Sequence, residues 1–100
     1  MVALGDGAPE ALMEKRVMAL SPRGALAGKI ALPAMGCVPV PDAMSAEAAA
    51  GFIVSYCTAL YGFEDCGKLQ SGETVLVLGA AGGVGIAAID IAKAMGAMPT

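Results

Sequence analysis

Hydrophobic and polar positions divide the chain into three stretches. From Met1 to Met44 the apolar runs are short and punctuated by Gly and Pro. "RVMAL" (Arg16–Leu20), "GKIAL" (Gly28–Leu32) and "CVPVP" (Cys37–Pro41) are candidate strands of a small β-rich unit. The prolines of the third confine it to a sheet edge or to an extended, unpaired stretch. In the second stretch, Ser45 precedes Glu47 and a run of alanines, which is a helix-start signal. Ala49, Phe52, Ile53 and Tyr56 follow at helical spacing. Gly62 is expected to interrupt this helix, "FEDCGKL" to add a short helical piece or prolong it, and "QSGE" (Gln70–Glu73) to form a turn.

The third stretch is "TVLVLGAAGGVGIAAIDIAKAMGA", Thr74–Ala97. Thr74–Leu78 reads as a strand of a parallel sheet covered on both faces. Val84, Ala88, Ile91, Ala92 and Met95 lie on one helical face, with Asp90 and Lys93 toward solvent. Gly96 is placed to end the helix, and Lys93 in its last turn complements the helix dipole. Strand, glycine turn and helix make the first half of a βαβ unit.

The glycines of that turn have distinct expected tasks. Gly79 would give a tight reversal out of the strand, and Gly82 a point where backbone can approach a pyrophosphate. Gly85 would let the helix start pack close to the sheet. Free amides near Gly83–Gly85 would then face the phosphates at the positive end of the helix. The spacing is G-x-x-G-x-x-G, and in the G-x-G-x-x-G register Ala80 stands where the first glycine would be. A plainer alternative is a β-α turn that uses glycine for geometry alone. Strand before and helix after favour the cradle. A phosphate loop of the Gly-Lys-Ser/Thr type is excluded, because no such triplet follows. The acid that would hold a ribose, about 20 residues further on, falls at or beyond Thr100, so cofactor choice is not legible.

Composition narrows the chemistry. The chain has 100 residues, 57% hydrophobic and 15% charged, with a net charge of −3. That balance offers no basic footprint for nucleic acid or an anionic membrane. The uncharged run Ala48–Phe63 is shorter than the ~20 residues needed to span a bilayer. Acids at Asp6, Glu10 and Glu14 argue against a signal peptide, so a soluble chain is expected. Histidine is absent, which removes the commonest general base and zinc ligand. Cys37, Cys57 and Cys66 have no C-x-x-C spacing and read as reduced, mostly buried thiols of a cytosolic protein.

"GKLQSGETVLVLGAAGGVGIAAIDIAKAMGA" resembles the start of the cofactor domain in zinc-independent quinone oxidoreductases, the ζ-crystallin-like branch of the medium-chain dehydrogenases/reductases. "KRVMALSPRGALAGKIALPAMGCVPVPDAMSAEAAAGFIVSYCTALYGF" is similar to the end of their GroES-like domain and the helix that follows it. The resemblance implies an α/β fold: a partial GroES-like unit over 1–44, a connecting helical segment over 45–69, and the first β-α of a doubly wound Rossmann sheet over 70–100. It implies hydride transfer from NADPH, with NADH open, to a quinone or α,β-unsaturated carbonyl, in a cytoplasmic homodimer without zinc.

Gly79, Ala80, Ala81, Gly82, Gly83, Val84 and Gly85 would form the pyrophosphate loop, and Tyr56 and Thr58 would line the nicotinamide pocket. Tyr56 reads equally as a core aromatic. Cys57 and Cys66 read as packing residues, since nothing nearby would activate a thiol. No catalytic residue is identified. Two departures stand out: Gly28 occupies a position where Glu, Gln or an aromatic is common, and "MPT" replaces a basic-then-apolar second strand. Family members are longer at both ends. The chain is therefore expected to be a piece of a longer protein, inactive and poorly folded alone, with both edges of strand Thr74–Leu78 open. A dinucleotide-binding or structural module without turnover is the alternative function.

Overall fold

The computed structural model describes all residues, Met1–Thr100, as two compact units, Met1–Ala50 and Gly51–Thr100. In the first unit, β1 (Val17–Met18) pairs antiparallel with β2 (Val38–Pro39), Val17 opposite Pro39 and Met18 opposite Val38. Single 3-10 turns lie at Glu10–Leu12 and Ala34–Gly36. The stretch Cys37–Pro41 thus pairs, which a two-stranded ribbon permits because every strand in it is an edge. Gly28–Leu32 does not become a strand. It pairs with neither β1 nor β2, and Ile30 and the nearby Leu26 stay exposed.

Arg16 ties this ribbon to the start of the first helix. Its guanidinium donates to the carbonyls of Pro41 (3.0 Å), Asp42 (3.1 Å) and Met44 (2.9 Å), and its own carbonyl accepts from Val40 N–H at 2.9 Å. The planar donor fork of an arginine suits such a fan of acceptors. The turn held in this way presents Ser45, whose Oγ accepts from Ala48 N–H at 3.1 Å and caps α1 (Ala46–Tyr61). Glu47 in the first turn has its pKa lowered, by a hydrogen bond from its own backbone amide and one from Ser45.

Gly62 does not interrupt the helix. The chain passes from α1 into a π turn, Gly62–Cys66, closed by Gly67 N–H on Gly62 O at 2.8 Å. The Gln70–Glu73 turn, with Gly72 at φ +87°, leads into β3 (Thr74–Val75). Across the glycine loop lies α2 (Gly83–Ala94), and β4 (Met98–Pro99) follows it. The end of α2 is a Schellman motif: Ala97 N–H bonds Ala92 O at 2.9 Å, Gly96 N–H bonds Lys93 O at 3.0 Å, and Gly96 has φ +80°.

β4 runs parallel to β3, so the unit is a closed β-α-β rather than a β-α. Glu73 and Val75 carbonyls accept from Met98 and Thr100 amides at 2.8 Å each, and Val77 N–H donates to Thr100 O at 2.9 Å. One edge of the Thr74–Leu78 segment is therefore partnered, against the expectation of two open edges. Pro99 falls between the two residues that donate to β3, so its missing N–H costs this ladder nothing. The expectation of a strand covered on both faces also fails. Leu76 and Leu78 are 69% and 84% exposed, while Val75 and Val77 between them are half-buried.

Small residues form the core. Ala49 lies in the first unit, and Ala59, Ala87, Ala92 and Ala97 in the second. On α2 the buried positions are Ala87 and Ala92, whereas Val84 is 45% exposed. Alanine admits close approach of backbones, so the inward line of this helix follows its smallest side chains. Cys57 and Cys66 are exposed and Cys37 is half-buried, contrary to the reading of buried thiols. Neither helix is long and apolar enough to cross a membrane.

Candidate functional site

The loop between β3 and α2 reverses at Gly79, where φ is +74°, a region costly for any residue with a Cβ. Gly82 N–H closes the turn on Gly79 O at 2.9 Å. Gly82 then serves as the N-cap of α2, with φ −80° and ψ 161°, and its carbonyl accepts from Ile86 N–H at 2.8 Å. The amides of Gly83, Val84 and Gly85 precede that first intrahelical bond. No side chain caps them and no acid lies in the first turn. The result is three open donors at the positive end of a 12-residue helix, a setting that favours an anion.

The structure separates the reasons for glycine. A Cβ on Gly85 would collide with Gly79 O and lie 2.9 Å from Ala80 Cα, so only glycine lets the first helical turn press on the loop. A Cβ on Gly82 would lie 3.3 Å from Gly79 O, and one on Gly83 would meet Ser55 Oγ at 3.5 Å, an ordinary contact. The fold demands glycine at 79 and 85, and demands it far less at 82 and 83. Ala80 and Ala81 complete the loop and are exposed.

α1 lies against this helix within the second unit. Ser55 lies near its first turn, with Oγ 3.5 Å from where a Cβ on Gly83 would sit, and the Tyr56 hydroxyl donates to Asp90 Oδ2 at 2.7 Å. The ring of Tyr56 stacks on Phe52, centroids 4.4 Å apart and planes 15° from parallel. That bond to Asp90 raises the Tyr56 pKa, with burial and the nearby negative charge acting in the same direction. Thr58 is exposed. Two residues on a helix differ by about 200° in direction, so Tyr56 and Thr58 leave α1 on different sides. Sequence reading placed Asp90 toward solvent and gave Ser55 no task. Both owe their positions to the crossing of two helices, which a one-dimensional pattern does not contain.

No group of three or more Cys, Asp or Glu side chains is placed to hold a metal ion. The donors that are placed for a ligand are backbone amides, which suit phosphate oxygens.

Similarity to known proteins follows the same outline. No family model matches the chain. It is 38% identical over 93 residues to the human synaptic vesicle membrane protein VAT-1 homolog, covering 93% of this chain and 24% of that protein. The quinone oxidoreductase of Thermus thermophilus, solved also in complex with NADPH, superposes with a TM-score of 0.82 at 41% identity. That match covers 85% of this chain and 28% of the oxidoreductase. The JamJ enoyl reductase gives a TM-score of 0.84 at 32% identity, covering 98% of this chain and 29% of the reductase. This chain belongs to the medium-chain dehydrogenase/reductase superfamily, among quinone oxidoreductases, enoyl reductases and VAT-1-like proteins. It spans less than a third of the length of each of these three.

Proposed function

We propose that this chain supplies the pyrophosphate-binding element of a zinc-independent, NADPH-dependent oxidoreductase that reduces a quinone or an α,β-unsaturated carbonyl. The observation that carries the reading is the set of open Gly83, Val84 and Gly85 amides behind a turn that Gly79 and Gly85 make possible. In this reading residues 1–44 are the end of a GroES-like unit and β3-α2-β4 is the start of a Rossmann sheet. The similar Thermus oxidoreductase was solved with NADPH, which supports that cofactor.

The residues present fit the group. The amides of 83–85 would bind the pyrophosphate oxygens, and the bare Gly82 backbone would permit their approach. NADPH, when bound, supplies the hydride. Tyr56 on α1 would contribute to the nicotinamide side through its ring, because its hydroxyl is already engaged by Asp90, whereas Thr58 leaves α1 on another side. The reading extends to a cytoplasmic homodimer.

Phosphorus NMR of NADPH titrated with the chain tests the reading directly. The pyrophosphate resonances are expected to shift or broaden, with weak affinity, because the loop is only part of a site. Unchanged resonances at high protein concentration would refute it.

A further inference from the structure

Among the polar side chains of the second unit, one pair joins the two helices away from the glycine loop. Tyr56 on α1 donates to Asp90 on α2 at 2.7 Å, and both residues belong to the same compact unit. Asp90 lies seven residues beyond Gly83, close to two helical turns or about 10 Å along α2. Nearer the start of α2, a Cβ added at Gly83 would lie 3.5 Å from Ser55 Oγ, so Ser55 lies close to the first turn. The Tyr56–Asp90 bond thus joins the two helices directly, with the neighbouring Ser55 close to the first turn of α2.

The remaining contacts around this crossing are weak constraints. The buried residues of α2 are alanines, which fill little volume and specify little. A hydrogen bond is directional, so it specifies geometry where small apolar contacts do not. It also fixes the Tyr56 ring, which Phe52 backs by stacking.

We infer that Asp90 is a positioning residue for the dinucleotide site: by holding the Tyr56 hydroxyl it fixes how α1 lies against α2, the helix whose first turn carries the open amides. The inference rests on the dinucleotide reading of Gly79–Gly85. Asp90 does not touch the ligand. It acts through Tyr56, and it is the acceptor, not the charge, that the geometry uses.

The test is a double-mutant cycle in the full chain, with NADPH affinity read by phosphorus NMR, tyrosine environment by near-UV circular dichroism, and helix content by far-UV circular dichroism. Asp90→Ala and Tyr56→Phe are each expected to weaken NADPH about 3- to 10-fold, and the double variant no further. Asp90→Asn keeps an acceptor at the same reach and is expected to restore affinity to within about twofold of the original. A purely structural role would follow helix content and would not be rescued in this way. Full NADPH affinity in Asp90→Ala, with the tyrosine signal changed, would overturn the inference and leave the dinucleotide reading standing. Losses that add in the double variant would also overturn it. If the unsubstituted chain leaves NADPH unperturbed, the dinucleotide reading fails and the positioning role falls with it, while the Tyr56–Asp90 bond would still show in the tyrosine signal.

Discussion

Gly85 packs so closely on Gly79 that any side chain at 85 would run into the carbonyl oxygen of 79. This contact sets the distance between the end of β3 and the start of α2. It is made by backbone on both sides, so no rotamer change can relieve it.

Gly85→Ala is accordingly expected to destabilise the second unit by about 1–3 kcal/mol, the usual cost of overpacking. Helix propensity alone would favour alanine here, so the sign of the effect is informative. Urea unfolding followed by far-UV circular dichroism measures it. Equal or greater stability would show that the loop relaxes without its glycine.

Ser45→Ala removes the oxygen that accepts from Ala48 N–H and is expected to cost about 1 kcal/mol of helix stability. The same measurement applies, with Ser45→Asp as the control that retains a cap. An alanine variant as stable as the original would mean that the Arg16 fan on Pro41, Asp42 and Met44 suffices to start α1.

Tyr56 is expected to ionise above the ordinary tyrosine range, because ionisation would remove the proton it donates to Asp90. The folded pKa is raised, so this bond contributes stability below the unfolded pKa of about 10, and the contribution is lost as pH rises through the folded value. Ultraviolet titration in a Tyr61→Phe background isolates the group. Asp90→Ala should move the titration down, and a titration unmoved by that change would show that burial alone sets it.

Several local features of both units were legible in the sequence. Ser45 as cap, Gly79 as reversal and Gly96 as the left-handed residue after α2 are each set by a few neighbouring residues, and each appears where the pattern places it. What the pattern could not supply were pairings across the chain. Met98 and Pro99 carry no strand signal of their own and become β4 because Glu73 and Val75 offer carbonyls to Met98 and Thr100. Gly28–Leu32 carries a strand signal and stays irregular, having no partner. Leu76 and Leu78 look like core by composition, yet they are exposed while Val75 and Val77 beside them are half-buried. Asp90 is exposed, as the pattern places it, and what the pattern did not supply is the Tyr56 hydroxyl whose hydrogen bond it accepts. The geometry of the candidate loop was readable, since the reversal at Gly79 and the tight packing at Gly85 depend on neighbouring residues.

Gly82→Asp offers the most direct measurement of whether the loop is a phosphate cradle. Residue 82 has extended N-cap geometry that an aspartate adopts, and its Cβ needs only a slight shift from Gly79 O. The new carboxylate would cap the open amides of 83–85 and place negative charge where a pyrophosphate would sit. Melting stability is expected to stay within a few tenths of a kcal/mol or to rise, while the effect of the chain on the NADPH phosphorus resonances disappears. A variant that perturbs those resonances as the original chain does would contradict the assignment and leave Gly79–Gly85 as a turn between strand and helix.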